Sequence, residues 1–244
     1  MMSKRKSTQE YQVIDTIRRN GGYATLGSLY HLVDTSKWMT KTPNESIRRI
    51  VQVSKDIFRI QPGLWALEEC RDEVLSKFEL KGKESKEEER FTHSYYQGLL
   101  VEIGNMKNCT TYIPAQDKNR KFLEKPLKDL CSIVKIPEFG WKGIVERART
   151  VDVIWFNERM MPNSFFEVEH STDMQNSLAK FCDLQDYHSR FIIVAPENRL
   201  EHFQNIIQRT AFKDVKGRVQ FRTYELIIRQ YDTMCQMKAL VEKI

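Results

Sequence analysis

Three carboxylates hold the residue types and spacing most able to do chemistry. Asp152 is embedded in the apolar run Val151-Asp152-Val153-Ile154-Trp155-Phe156. Glu167 and Glu169 alternate with apolar partners in Ser164-Phe165-Phe166-Glu167-Val168-Glu169-His170. Both runs read as β-strands, and the period of two along a strand sends Glu167 and Glu169 to one face. Taken alone, that pair also fits the solvent side of an amphipathic strand. Asp152 does not, because an unpaired carboxylate among apolar neighbours is costly. The short connection between the two runs lets all three carboxylates meet at one edge of a hairpin. Oxygen-only clusters select hard cations such as Mg²⁺, with Mn²⁺ as a substitute. Hydrolysis of a phosphodiester needs such an ion to neutralise developing charge, activate the attacking water and hold the in-line geometry.

Other polar side chains lie around this cluster. His170 follows the acidic strand, as a contact to phosphate or the metal shell or as a structural hydrogen-bonder. Lys180, on the helix expected next, either reaches the scissile phosphate or is an exposed helix cation. Glu102, on an earlier helix, offers a further acidic group or an exposed carboxylate. Lys118, Arg120 and Lys121 follow the first strand as solvated cations or contacts to a DNA backbone. His93, His188 and His202 show no ligand spacing. No phosphate-cradling glycine loop is present, so no nucleotide cofactor is expected.

Positioning these residues requires alternating elements. From residue 91 the pattern predicts a helix (92–106), a strand (110–114), a long polar insertion and a short helix (141–149). The two acidic strands follow, then a helix (175–187), a strand (190–195), a helix (199–212), a strand (218–224) and a final helix to 244. Alternation of this kind predicts an α/β sandwich around a mixed sheet.

The N-terminal part differs in charge. Residues 1–67 carry 11 Lys/Arg against 5 Asp/Glu, whereas the other 177 carry 28 of each, so the net +6 resides at this end. A basic module joined to a neutral one points to a polyanion partner, nucleic acid first. Ser7 and Glu10 have capping-box spacing before a helix that stops at Asn20-Gly21-Gly22. A second helix is expected over 26–33 and a third from Thr42-Pro43. A hairpin then turns at Gln61-Pro62-Gly63. Three helices and a hairpin predict a winged helix-turn-helix, whose third helix enters the major groove of duplex DNA. The expected DNA-facing set is Arg48, Arg49, Gln52, Lys41, Lys55 and Arg59. Residues 68–90, rich in charges of both signs, read as a linker, either a solvated tether or an exposed helix.

Composition excludes several classes. Five cysteines, odd in number and without a CxxC pair, argue against a disulfide framework or a zinc knuckle and for a reduced, cytoplasmic setting. No apolar run approaches the roughly 18 residues of a membrane span. No repeat of fixed period is present.

Two resemblances sharpen this reading. Gly21-Gly22-Tyr23-Ala24, Lys41-Thr42-Pro43, Phe58-Arg59-Ile60 and Pro62-Gly63-Leu64-Trp65-Ala66-Leu67 resemble the HARE-type winged helix-turn-helix found beside DNA-processing enzymes. The order αβββαβ with Asp152 and Glu167-Val168-Glu169 resembles the PD-(D/E)XK nuclease superfamily, in the D…ExE variant of some restriction endonucleases. The strings Phe166 to Asp173, Leu178 to Asp183, Ile193-Val194-Ala195-Pro196 and Arg209-Thr210-Ala211-Phe212 extend the likeness to one restriction-endonuclease-like group. That resemblance implies Asp152 and Glu167 as metal ligands, with the Val168 carbonyl between them. Glu169 stands where the family usually has lysine, which leaves the water-activating role open; Glu102 sits where some members supply another acidic group, and a second metal is possible.

The expectation is an α+β or α/β chain: a winged helix at 1–67, a linker at 68–90 and a restriction-endonuclease-like domain with a mixed central sheet at 91–244. The implied activity is Mg²⁺-dependent cleavage of double-stranded DNA, as a type II or modification-dependent restriction enzyme, with a homodimer as the simple way to cut both strands. The competing readings are a non-catalytic DNA-binding regulator or accessory subunit, and a transposase-like nicking subunit.

Overall fold

The structure is a computed structural model that describes residues 8–78, 80, 85–170 and 174–241. Its described residues fall into two compact units, one from 1–84 with 228–244, the other from 85–227.

The first unit begins with α1 (Gln9–Arg19), capped by Thr8, whose hydroxyl accepts the Tyr11 N–H at 3.2 Å. Ser7, the cap expected from sequence, lies outside the described residues. After α1, Gly21 and Gly22 both take positive φ (+84° and +86°), and a side chain at Gly22 would meet Cys70 at 2.9 Å. Glycine therefore suits this turn on both grounds. Next come β1 (Tyr23–Thr25), α2 (Leu26–Leu32) and α3 (Pro43–Val53), then β2 (Ile57–Gln61) and β3 (Leu64–Leu67). The strands form an antiparallel sheet of order β1-β3-β2. Val13, Ile17, Leu29, Ile47 and Val51 close its core from α1, α2 and α3.

The charged stretch after Leu67 is not a tether throughout. It folds into α4 (Arg71–Lys77), where Val74 is buried and Phe78 packs edge-on against Tyr23 at 4.9 Å. Two apolar anchors dock this helix, and most of its other residues are exposed, as the charge pattern predicts.

The second unit opens with the long α5 (Ser85–Met106), which begins within the stretch read as linker. β4 (Thr110–Tyr112) is followed by an unexpected small hairpin, β5 (Lys121–Phe122) and β6 (Lys125–Pro126). Then come α6 (Lys142–Ala148), β7 (Val153–Phe156), β8 (Pro162–Val168), α7 (Met174–Asp183), β9 (Arg190–Ala195), α8 (Leu200–Ile207) and β10 (Val219–Thr223). The five-stranded sheet runs β10-β9-β8-β7-β4 and is mixed. The β4/β7 and β7/β8 pairs are antiparallel, whereas β8/β9 and β9/β10 are parallel.

One sheet face packs on α5, where Trp155 Nε1 donates to the Leu100 carbonyl at 3.0 Å. The other buries Phe165, Phe191 and Ile193 under Leu178 and Phe181 of α7 and Phe203 of α8. The last helix, α9 (Tyr224–Val241), starts in this unit, but its residues from 228 onward group with the first. There Tyr231 and Cys235 lie so close to Gly27 of α2 that a Cβ would stand 2.7 Å from the Cys235 sulfur.

Candidate active site

The strand directions bring one end of the second unit's sheet to chemistry. β8 ends in Val168 where β7 begins, because the two are antiparallel. Asp152 lies one residue ahead of β7 rather than inside it. Continuing the Val153/Phe166 register sets it opposite Glu167. Its Oδ2 accepts the Val168 N–H at 2.7 Å, so the hairpin backbone itself holds this carboxylate. Glu169 lies just past β8 and prolongs the ladder, its N–H donating to the Val194 carbonyl at 2.8 Å.

Asp152, Glu167 and Glu169 are all buried. The costs of that burial are met from two helices. From α5, His93 Nε2 lies 3.2 Å from Asp152 Oδ2. One turn further on, Gln97 Nε2 donates to the Asp152 carbonyl at 3.2 Å and to Asp117 Oδ2 at 2.8 Å. Arg120 completes this side, with Nε 3.1 Å from Asp117 Oδ1 and Nη1 3.4 Å from His93 Nδ1. From α7, Lys180 Nζ stands 2.9 and 2.8 Å from the two Glu167 oxygens and donates to the Thr150 carbonyl at 2.9 Å. Ser177, one turn before it, donates to Glu167 Oε2 at 2.9 Å and also contacts Glu169 Oε1. A hydroxyl has one proton to give, so Ser177 serves one carboxylate at a time.

The electrostatics follow from this geometry. Burial pushes Asp152 up, but His93 beside it, with the Val168 N–H and Lys180, outweighs burial and holds it below the usual carboxylate range. For Glu167, burial and then the Asp152 charge win over Lys180 and Ser177, and its pKa is pushed up to about 8. Burial opposes charge on His93, yet the Asp152 carboxylate raises its pKa above the ordinary imidazole value.

These groups line a cleft of about 540 Å³, together with Arg90, Gln116, Asp117, Arg120, His170 and Asn176. Its donor set of three carboxylates and the Val168 backbone is all hard oxygen and suits Mg²⁺. Burial is the first cause of the raised Glu167 pKa and the Asp152 charge the second, and a cation would relieve the second. Among the described residues no three His, Cys, Asp or Glu side chains converge as a ready-made cation cage. Both Glu167 oxygens face Lys180, and one of them also accepts from Ser177.

The cleft thus unites Asp152, Glu167, Val168, Glu169, His170 and Lys180 from the sequence-derived set. His170 also stacks near Tyr224, with ring centroids 6.1 Å apart. Glu102 is not brought in. It lies nine residues beyond His93 on α5, about 13 Å along the axis and half a turn out of phase. Residues 171–173, the end of one string behind the family resemblance, are outside the described residues.

In the first unit, Arg49, Gln52, Lys41, Lys55 and Arg59 are exposed, but Arg48 is half-buried with its Nη2 3.4 Å from Asp232 Oδ2 on α9. The final helix thus claims the Arg48 guanidinium expected to face DNA.

Sequence reasoning missed His93, Gln97, Asp117 and Ser177. One signal was available: His93 and Gln97 are polar residues four apart, hence on one face, beside the apolar Tyr95-Tyr96 and Leu99-Leu100.

Residues 74–244 match a family described as the type II restriction enzyme NmeDI C-terminal domain. The chain belongs to that family. The match begins in α4 and takes in the whole second unit and α9, so every cleft residue lies inside it. The type II restriction enzyme NmeDI of Neisseria meningitidis serogroup C is 29% identical over 162 residues, which are 62% of this chain and 45% of that enzyme. The chain therefore spans less than half the length of this curated relative. No solved structure matches. Among the described residues, no helix is long and apolar enough to cross a membrane.

Proposed function

We propose that this chain is a Mg²⁺-dependent endodeoxyribonuclease of the restriction type, cutting phosphodiester bonds in duplex DNA with a D…ExE site of the PD-(D/E)XK kind. The observation that carries this is the burial of Asp152, Glu167 and Glu169 at one sheet end, in a chain of a type II restriction enzyme family. Asp152, Glu167 and the Val168 carbonyl would hold the ion, with Glu169 supporting it or the water. Bound there, Mg²⁺ supplies charge neutralisation and a lowered pKa for the attacking water.

The chain's own residues do the rest. The Val168 N–H and His93 fix the Asp152 carboxylate. Lys180 stands at Glu167 from α7 and brings an ammonium to a site whose strand carries Glu169 where the family usually has lysine. Such a cation orients a phosphate oxygen and stabilises charge growing on it. The helix-strand-helix-helix-hairpin order of the first unit supports a winged helix that grips the duplex through Arg49, Gln52, Lys41, Lys55 and Arg59. A homodimer would present two such sites to the two strands.

The test is incubation of the purified chain with methylated and unmethylated phage DNA in Mg²⁺, Mn²⁺ or EDTA, followed by sizing of the products. Discrete metal-dependent fragments, lost in Asp152→Ala, are expected. Normal cleavage by Asp152→Ala would sink the assignment. DNA that is shifted on a gel but never cut would favour the non-catalytic DNA-binding reading.

A further inference from the structure

The hairpin β5–β6 is too well anchored to be an idle insertion. Its Phe122 ring packs on α5 at Gly98, where a Cβ would stand 2.2 Å from ring atoms, and it stacks with Tyr95 at 5.6 Å. Leu127 is fully buried behind it. Backbone bonds from Leu127 to Arg120 (2.8 Å) and from Lys128 to Lys118 (3.1 Å) close the base of the loop. That base reaches the cleft, since Asp117 and Arg120 line it and Arg120 lies against His93.

What this rigid piece presents outward is positive charge. Residues 117–129 hold five Lys/Arg, at 118, 120, 121, 125 and 128, against three Asp/Glu, at 117, 124 and 129. Lys121, Lys125 and Lys128 are exposed and have no ion-pair partner among the described residues. Cations held on a scaffold lose little freedom on binding an anion, unlike lysines on a loose loop. Lys121 directly follows the cleft residue Arg120, so the first of them stands one Cα step, about 3.8 Å, from the site.

We infer that this hairpin is a phosphate-binding surface that grips the duplex backbone beside the scissile bond, through Lys121, Lys125 and Lys128. The inference rests on the duplex-cleaving reading above and assigns where the second unit holds the strand it cuts. Contacts of this kind position without reading sequence.

The experiment is equilibrium binding of the 244-residue chain to a duplex oligonucleotide in EDTA, across a NaCl series, so no cleavage enters the readout. Each phosphate contact contributes about 0.9 to the slope of log K against log salt. The triple variant K121Q/K125Q/K128Q is expected to flatten that slope by about 2 to 3 and to weaken binding at least ~10-fold at 0.1 M salt, equally for every sequence. The control K107Q/K213Q/K216Q makes the same charge change at exposed residues preceding β4 and β10. Those strands run parallel to β8, so their starts lie at the sheet end opposite the cleft. The control is expected to keep the wild-type slope.

An unchanged slope in the hairpin variant, or equal flattening in both triples, overturns the inference. Hairpin-dependent binding with no metal-dependent cleavage supports this surface and overturns only the nuclease reading. Absence of duplex binding by the wild-type chain overturns both.

Discussion

The raised pKa of Glu167 has a consequence for folding that can be measured without DNA. A carboxyl whose pKa rises from 4.5 to about 8 on folding holds its proton more tightly in the native state. The stability it contributes is therefore present below the unfolded value and is lost as pH climbs toward the folded one. Between pH 5 and pH 8 that loss is about 4 kcal/mol, at 1.36 kcal/mol per pH unit. His93, also raised, acts with the same sign above pH 6.5, whereas Asp152, lowered, titrates below this window. Glu167→Gln keeps the shape and neutrality of the protonated side chain and removes its titration. Urea unfolding in EDTA, followed by tryptophan fluorescence, should find the two proteins equally stable near pH 5. Near pH 8 the variant should be the more stable by about 4 kcal/mol. Saturating Mg²⁺ at pH 8 should return some 2–3 kcal/mol to the wild type at a hundredfold excess over Kd, and less to the variant. Parallel stability curves for the two proteins would refute the reasoning, because they would mean that Glu167 carries no proton in the metal-free fold.

Three other perturbations probe different links. Ser177→Ala removes the hydroxyl that meets both glutamates; the cleavage rate or Mn²⁺ affinity should fall about 10–100-fold with an unchanged circular dichroism spectrum, and Ser177→Thr should restore it. Gly98→Ala drives a methyl into Phe122; after allowing for the better helix propensity of alanine, calorimetry should show a loss of about 1–2 kcal/mol, or roughly 2–8 °C in Tm. In the first unit, burial pushes Asp232 up to about 7 although Arg48 pulls it down. Wild-type stability should thus fall by up to about 4 kcal/mol between pH 4 and pH 7, and Asp232→Asn should flatten that segment in urea titrations.

Much of the site was legible because strands write their faces into sequence. The run Phe191–Ala195 is apolar throughout, as a strand covered on both sides must be, and the structure gives the strand the expected bounds, Arg190–Ala195. Glu167 and Glu169 share a face by period alone, and an aspartate among valines and isoleucines announced a buried charge. Element ends were less legible. Asp152 precedes β7 and Glu169 follows β8, each one residue outside its strand. The charged stretch 68–90 folds in part as an exposed helix: most of α4 faces solvent, and the apolar pair Val74 and Phe78 is buried.

What could not be read was the set of groups that make the buried carboxylates tolerable. Lys180 and Ser177 each have an unremarkable helical setting, and only the packing of α7 over β8 turns that helix face toward Glu167. His93 lacks any ligand spacing because it meets Asp152 from 59 residues away, through tertiary packing alone. Arg48 shows the converse. Its place on the third helix suggested a partner outside the protein, and a carboxylate 184 residues later supplies one inside it. Sequence periodicity reports which face a side chain leaves its element by, whereas the identity of the group waiting there is set by the fold. A buried carboxylate in a strand is therefore evidence that compensating cations or donors exist, and the structure locates them at His93, Lys180 and Ser177.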